Sequence, residues 1–374
     1  MSKERIFDSA VKRFVPEMLV ELISRNTSHG KAGLEPSSFF LKGVCLLVDI
    51  SGFTKLSGQF CEMGKSGIDE LQLATNSYME KLVQIIYTYG GEIIKFAGDA
   101  IICIFSTSFV TNVSTKGRAG ELHRSMSNFG GLTADFVDGN SLKVGSGPFV
   151  PTNEPGSSRG SVKPSVVGKE VTADVVLRAM HCASVLREVQ TDKLSVHVAM
   201  SCGEMCFGIL GGVDNRWECL ISGPCIHQLS ACLDDAPSKT AVISKECAEI
   251  LELHSIRVVN NENGEIISNN RLYSIYTEYG GTYHYEIDPL PSGNHRIVQV
   301  VNLLTANFAE PAAQAPVKDL PNFESERLQS KIMKLLHQFV PVPLLDEVES
   351  GRELNFIAEI REVTTMFMKV IEST

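Results

Sequence analysis

Two aspartates in this sequence stand where a carboxylate needs a reason. In "VCLLVDISGFTKLSG", residues 44–58, an apolar run through Val44, Leu46, Leu47 and Val48 ends on Asp49. In "GGEIIKFAGDAIICIF", residues 90–105, Asp99 sits between two apolar segments, directly after Ala97 and Gly98. An unpaired buried charge is costly, and two close carboxylates repel unless a cation neutralises them. Oxygen-only ligation of this kind suits Mg2+ or Mn2+, which fill their shells with water and substrate phosphates. Gly52 lets the chain turn after the first aspartate, and backbone N–H groups at a turn into a helix can cradle phosphates. A metal pair beside a phosphate cradle implies phosphoryl or nucleotidyl chemistry. Taken singly, Asp49 also fits a helix cap and Asp99 a turn.

The elements that must position these residues are legible around them. Residues 43–49 read as a strand. From Gly67 to Tyr89 the apolar residues Ile68, Leu71, Tyr78, Leu82, Ile85 and Tyr89 recur at helical spacing, and "YGG" at 89–91 ends the helix. "EIIKF" and "AIICIF" then read as a hairpin turning at Ala97, Gly98 and Asp99. Residues 107–170 are rich in Gly, Ser and Pro without periodicity and read as a disordered insertion. A helix from Thr172 to Val189 follows. Next come a strand "LSVHVAMSCG", a hairpin strand around "MCFGIL", then "WECLISGP", a helix over 225–235 and a strand "TAVIS". The order β-α-β-β, insertion, α-β-β-α-β predicts an α+β sheet with helices on one face.

The expected partition is an N-terminal extension over 1–40 with a short apolar helix around "VKRFVPEMLVELI", and a catalytic domain over 41–280. A linker and helical tail over 281–358 contains "ERLQSKIMKLLHQFV". Residues 359–374 read as the opening strand of a further domain. Among 374 residues, 43% are hydrophobic and 21% charged, values of a soluble globular protein. The net charge of -10 gives no support to a nucleic-acid partner. No apolar run reaches a membrane span and the start lacks a signal-peptide core, so the expectation is a cytoplasmic or nuclear protein. The ten cysteines show no CxxC pair or zinc-type spacing and read as free thiols of a core.

"VDISGFTKLS" followed by "GGEIIKFAGDAIICIF" resembles the catalytic core of class III nucleotide cyclases, and most of all the first catalytic domain of soluble, bicarbonate-responsive adenylyl cyclases. The resemblance implies a palm-type antiparallel sheet with helices packed on it. It also implies ATP as substrate, two Mg2+ or Mn2+ ions, and cyclic AMP and pyrophosphate as products. Asp49 and Asp99 match the metal-binding aspartates, and Ile50 matches the residue lending a backbone carbonyl to one ion. Ser51, Gly52, Phe53 and Thr54 match the triphosphate loop, and Arg178 falls where such domains place a basic phosphate contact. Lys95 matches a lysine of the regulatory anion site.

Departures from the family pattern set further expectations. Leu220, His227 and Ala231 stand where a self-sufficient cyclase dimer has its adenine-selecting residue and its transition-state Asn and Arg. None of the three can do those jobs. The chain therefore reads as the metal-bearing half of an adenylyl cyclase, needing a complementary cyclase domain in cis or in trans. A catalytically silent metal- and nucleotide-binding module is the alternative reading, and guanylyl cyclase specificity a further one. Ser195 replaces an arginine of the anion site, which puts bicarbonate regulation in doubt, and His197 reads as a plain strand residue.

Overall fold

The computed structural model describes residues 11, 14–28, 33–106, 171–257, 272–276, 282–302 and 326–349. The expected insertion over 107–170 and the expected opening strand over 359–374 lie outside them.

Strand β1 (Ser37–Ser51) is the spine of the molecule. It is followed by helices α2 (Phe53–Glu62) and α3 (Lys65–Thr88), after α1 (Glu17–Ser28) has preceded it. The hairpin β2 (Glu92–Ala97) and β3 (Ala100–Ser106) comes next, as its sequence predicts. Then follow α4 (Ala173–Leu186), β4 (Ser195–Gly211), β5 (Trp217–Ser222), α5 (Pro224–Asp234), β6 (Ala241–Ile243) and α6 (Lys245–His254). Strands β7 (Ile256–Arg257), β8 (Leu272–Tyr276), β9 (Thr282–Pro289) and β10 (His295–Asn302) and helices α7 (Glu326–Leu336) and α8 (Val342–Glu349) complete the described chain.

One mixed sheet runs β2-β3-β1-β4-β6-β10-β9-β8-β7, with β5 hydrogen-bonded to β4. All pairs are antiparallel except β4 with β6. The fold is thus α+β with a largely antiparallel sheet. It continues past residue 280, where the sequence suggests a linker: β9 and β10 pair with each other, and β10 closes onto β6.

Both faces of the sheet are covered. In β1, Val44, Leu46, Val48 and Ile50 point into a core with α2, α3, α4 and α6, where Leu71, Tyr78, Leu82 and Ile86 form the buried stripe of α3. Phe39, Leu41 and Cys45, on the alternate positions, point into a second core with α1, α5 and α7. This corrects the expectation of helices on one face. The period-two alternation of a strand cannot distinguish a solvated face from one covered by distant helices. Helix α1 is anchored where its orphan N–H groups need an acceptor: Met18 N–H donates to Glu92 Oε1 of β2 at 2.7 Å.

The segments "LSVHVAMSCG" and "MCFGIL" form one 17-residue strand, β4, and not a hairpin. Gly203 marks the join with φ +141, and the reversal falls instead at Gly211–Arg216, where Gly212 N–H donates to Arg216 O. All ten cysteines are free and eight are buried, in keeping with their reading as core residues. Among the described residues, no helix is long and apolar enough to cross a membrane.

Candidate active site

Asp49 lies near the C-terminal end of β1, directly opposite His197 of β4. Asp99 lies at the β2–β3 turn, next to Ala97 and Ala100, which pair across the hairpin. Because β3 pairs with β1 through Ile101 and Val48, the hairpin tip and the end of β1 meet at the same edge of the sheet. The field of Asp49 reaches Asp99. Burial, and then the Asp49 charge, hold the Asp99 carboxyl above the usual carboxylate range, against a backbone hydrogen bond and His197, which pull it down.

The chain between the two aspartates is shaped by Gly52. It precedes α2 with φ +93, in the left-handed region, and a Cβ there would overlap the backbone carbonyl of Lys193. The first α2 hydrogen bond runs from Leu56 N–H to Gly52 O at 2.9 Å. The N–H groups of the first turn therefore have no acceptor within the helix. Ser51, Gly52, Phe53 and Thr54 thus frame a helix N-terminus beside Asp49. Gly98 at the hairpin tip also has positive φ, +65, but open space around its Cβ position. Gly52→Ala is accordingly expected to lose about 1–3 kcal/mol from backbone strain, and more from the overlap. Gly98→Asn, whose side chain tolerates the left-handed region, should be near neutral. Thermal unfolding of the two variants checks the contrast, and an equal loss in both would show that the Lys193 contact has no weight.

The other expected site residues are distributed differently. Ile50 is buried and pairs with Val196, which fixes its backbone beside Asp49. Arg178 is exposed on α4, with Nη1 3.5 Å from the Cβ position of Gly90, after the end of α3. Gly90 precedes Glu92, whose partner is Ile104, at the end of the hairpin away from Asp99. Arg178 is therefore not brought to the aspartates. Lys193 touches the loop through its backbone and not through its charge. Its carbonyl abuts Gly52, and its Nζ sits 4.8 Å from the Phe60 ring centroid.

Lys95 Nζ is 3.2 Å from Glu218 Oε2 of β5. Ser195 Oγ shares a 2.7 Å hydrogen bond with Ser238 Oγ. Lys95 pairs with Ile102 and Ser195 with Ser51, so β3 and β1 lie between them. That is about three strand spacings, roughly 14 Å, across the sheet. The two positions of the expected anion site do not meet.

His197 is the residue that sequence reasoning missed. Its Nε2 is 2.5 Å from Asp49 Oδ2 and its Nδ1 is 2.7 Å from Ala236 O. The two side chains are only 19% and 18% exposed. Burial is the largest single influence on the imidazole and pushes its pKa down. The hydrogen bonds to Asp49 and Ala236 and the charges of Asp49 and Asp99 together outweigh it, so the net shift is upward. The site therefore holds two carboxylates, an imidazole bonded to one of them, and a helix N-terminus alongside. Among the described residues no three or more His, Cys, Asp or Glu side chains gather as a metal site; the side-chain oxygens of Asp49 and Asp99 are of the type that suits a hard divalent ion.

No family model matches the chain. It is 30% identical to adenylate cyclase type 10 of Oryctolagus cuniculus over 105 residues, 28% of this chain and 6% of the relative. It is 36% identical to adenylate cyclase type 10 of Rattus norvegicus over 72 residues, 19% of this chain and 4% of the relative. The matched stretches thus span a small fraction of these much longer proteins. Among solved structures, the adenylyl cyclase CyaB from P. aeruginosa is similar over 71% of this chain and 97% of its own, at 16% identity and a TM-score of 0.37. The guanylyl cyclase Cya2 is similar over 71% of this chain and 95% of its own, with the same identity and TM-score. Over the matched stretches the chain is similar in sequence to adenylate cyclase type 10.

Proposed function

We propose that this chain is the metal-bearing half of an adenylyl cyclase, which forms cyclic AMP and pyrophosphate from ATP once a complementary cyclase domain joins it. The observation that carries the reading is the meeting of Asp49 and Asp99 at one sheet edge, close enough for one charge to act on the other, beside the Gly52 turn. Two Mg2+ or Mn2+ ions, when bound, supply activation of the ribose 3′-hydroxyl and neutralise charge on the phosphates.

The protein's own part is positional. Asp49, Asp99 and the Ile50 carbonyl offer oxygen ligands. The backbone N–H groups of Ser51, Gly52, Phe53 and Thr54 bind the triphosphate, aided by the positive end of the α2 dipole. The strand and the tight turn hold these groups in place before substrate arrives, which lowers the cost of reorganisation in the reaction. The base and transition-state contacts come from the partner domain, because Leu220 on β5 and the exposed His227 and Ala231 on α5 offer no anionic or cationic group suited to them. The choice between adenine and guanine rests with that partner. The test is a cyclase assay with Mn2+-ATP, comparing the full chain alone with the chain plus a second cyclase domain. Absence of product in both, with both partners folded, would favour the silent binding module.

Regulation by bicarbonate is expected to be weak or absent. Lys95 is engaged by Glu218, Ser195 carries no charge, and the two are separated across the sheet. One missing charge-assisted hydrogen bond is worth roughly 1.5–3 kcal/mol, about tenfold or more in affinity. Because the two positions do not meet, neither Ser195→Arg nor Ser195→Arg with Glu218→Gln should restore a response. A wild-type response saturating at low-millimolar bicarbonate would show that anion binding uses other residues.

A further inference from the structure

Strand β4 is left uncovered along part of one edge. On that side β6 ends at Ile243, paired with Met200, and β5 ends at Ser222, paired with Cys206. The stretch between, Ser201–Met205, pairs only with β1. A cavity of about 400 Å3 lies at this gap, between the start of α5 and α6, a size in the range of small-molecule sites. Its floor is apolar: Cys202 and Cys225 are 2% and 0% exposed, and half-buried Ile250 lies alongside. Burial first, with charges that include Glu246 adding to it, pushes the Cys225 thiol up to about 12, so the floor is uncharged there at neutral pH. Gly203, also in the wall, has open space where a Cβ would stand. Cys202 and Glu204 are five and seven residues along β4 from His197, roughly 17–24 Å at the rise of a strand. The cavity is thus separate from the site of the two aspartates.

The polar side chains around the cavity are mostly acceptors. Glu204, Glu246 and Glu249 bring three carboxylates, of which Glu249 pairs with Lys245 at 3.5 Å on the exposed surface. Among the described residues Glu204 and Glu246 form no ion pair, although Lys42 stands opposite Glu204 on β1. A second observation, independent of the carboxylates, calls for the same chemistry. The Oε1 of Gln228, a lining residue from α5, is buried with no hydrogen-bond partner among the described residues. A buried acceptor left unpaired is costly, and an N–H from a ligand would satisfy it. We propose that this cavity binds an alkylammonium group, whose N–H donors meet Glu204, Glu246 and Gln228 while its methylenes lie on the floor of Cys202, Cys225 and Ile250. An aliphatic amine stays charged at neutral pH, with a pKa of roughly 10.4 in the case of lysine. It bonds carboxylates through charge-assisted hydrogen bonds, and its stem packs on apolar surface as lysine stems do. A bare metal ion would leave the apolar floor unused, and no metal-binding cluster is present among the described residues.

The test titrates ethylamine, n-butylamine and n-hexylamine into the full chain by calorimetry, at one fixed neutral pH and salt concentration. Each methylene that reaches the apolar floor should tighten binding about three- to fourfold. Attraction by the carboxylates alone would give all three amines one affinity. Tetramethylammonium has the charge without an N–H, and should bind about tenfold or more weakly than butylamine. The amide signal of Gly203, followed by NMR in the wild-type protein, should shift as butylamine saturates the site. That of Gly52, at the far end of the sheet, should not.

Two variants locate the binding. Glu246→Gln changes an exposed position of α6 and should weaken butylamine about tenfold. Gln228→Leu should weaken it as well while leaving the fold intact, because it removes an unpaired buried acceptor. Nα-acetyl-lysine methylamide carries the same butylammonium group on a peptide backbone. Tighter binding of this probe than of butylamine assigns the site to a lysine presented by a protein, and weaker binding assigns it to a free amine; both support an alkylammonium site. Three results overturn it: an affinity that is flat across the amine series, butylamine binding unaltered in folded Glu246→Gln, or no saturable binding together with an unmoved Gly203 amide.

Discussion

Asp99→Asn and Asp49→Asn should each remove all measurable cyclic AMP synthesis from the chain assayed with its complementary domain, while leaving it folded. Each substitution deletes one of two carboxylates that would hold the ions. Removing one preorganised electrostatic contact to a transition state commonly costs about 10²–10³ in rate, and a lost ion takes several such contacts with it. The two variants should part company in stability. Asp99 is held above its usual range first by burial and next by the Asp49 charge, so a neutral Asn there relieves strain in the metal-free protein. Asp99→Asn should melt at or slightly above the wild-type temperature. Asp49→Asn instead strips a charged partner from half-buried His197, a loss of about 1.5–3 kcal/mol by the scale for hydrogen bonds to charged groups. Equal loss of activity with opposite shifts in melting temperature is the expected signature. Turnover retained in a folded double variant would remove both aspartates from the chemistry.

The same contrast explains which parts of the site could be read from sequence. Asp49, the Gly52 turn and the Asp99 hairpin announce themselves locally. Each lies at the end of an apolar run, and strand, turn and helix signals act over a few residues. The α3 stripe and the β-α-β-β order follow from the same periodicities. What was not legible depends on partners far along the chain. His197 lies 148 positions from Asp49, and nothing in "LSVHVAMSCG" marks it as facing a carboxylate until the β1–β4 register is known. Arg178 matched a phosphate contact only through the family resemblance, and α4 delivers it to Gly90, at the other end of the hairpin. Gly203 reads as a turn because glycine usually marks one, whereas here it sits inside a continuous strand. Helices α1 and α7 lie at opposite ends of the sequence and become neighbours only by sharing the second face of the sheet.

The isolated chain should bind Mn2+-ATP weakly and make almost no cyclic AMP. Binding survives because Asp49, Asp99 and the Ser51–Thr54 loop all belong to this half. Turnover fails for a reason that dimerisation cannot repair. A second copy would bring another Leu220, His227 and Ala231 to the nucleotide, and so neither an acceptor for the adenine amine nor a cation for the α-phosphate. Loss of a single oxyanion-type donor costs about 10²–10³. Two such groups and the base contact are missing together, and groups that act as a unit do not lose rate additively. The residual rate should therefore lie close to background, with added cyclase domain restoring it. The measurement is cyclic AMP formation over hours by the purified chain, across a range of protein concentrations that would populate a homodimer. Robust synthesis that rises with the square of concentration and vanishes in Asp99→Asn would refute the half-site reading. It would also point to other residues, outside Leu220, His227 and Ala231, as the source of the missing contacts.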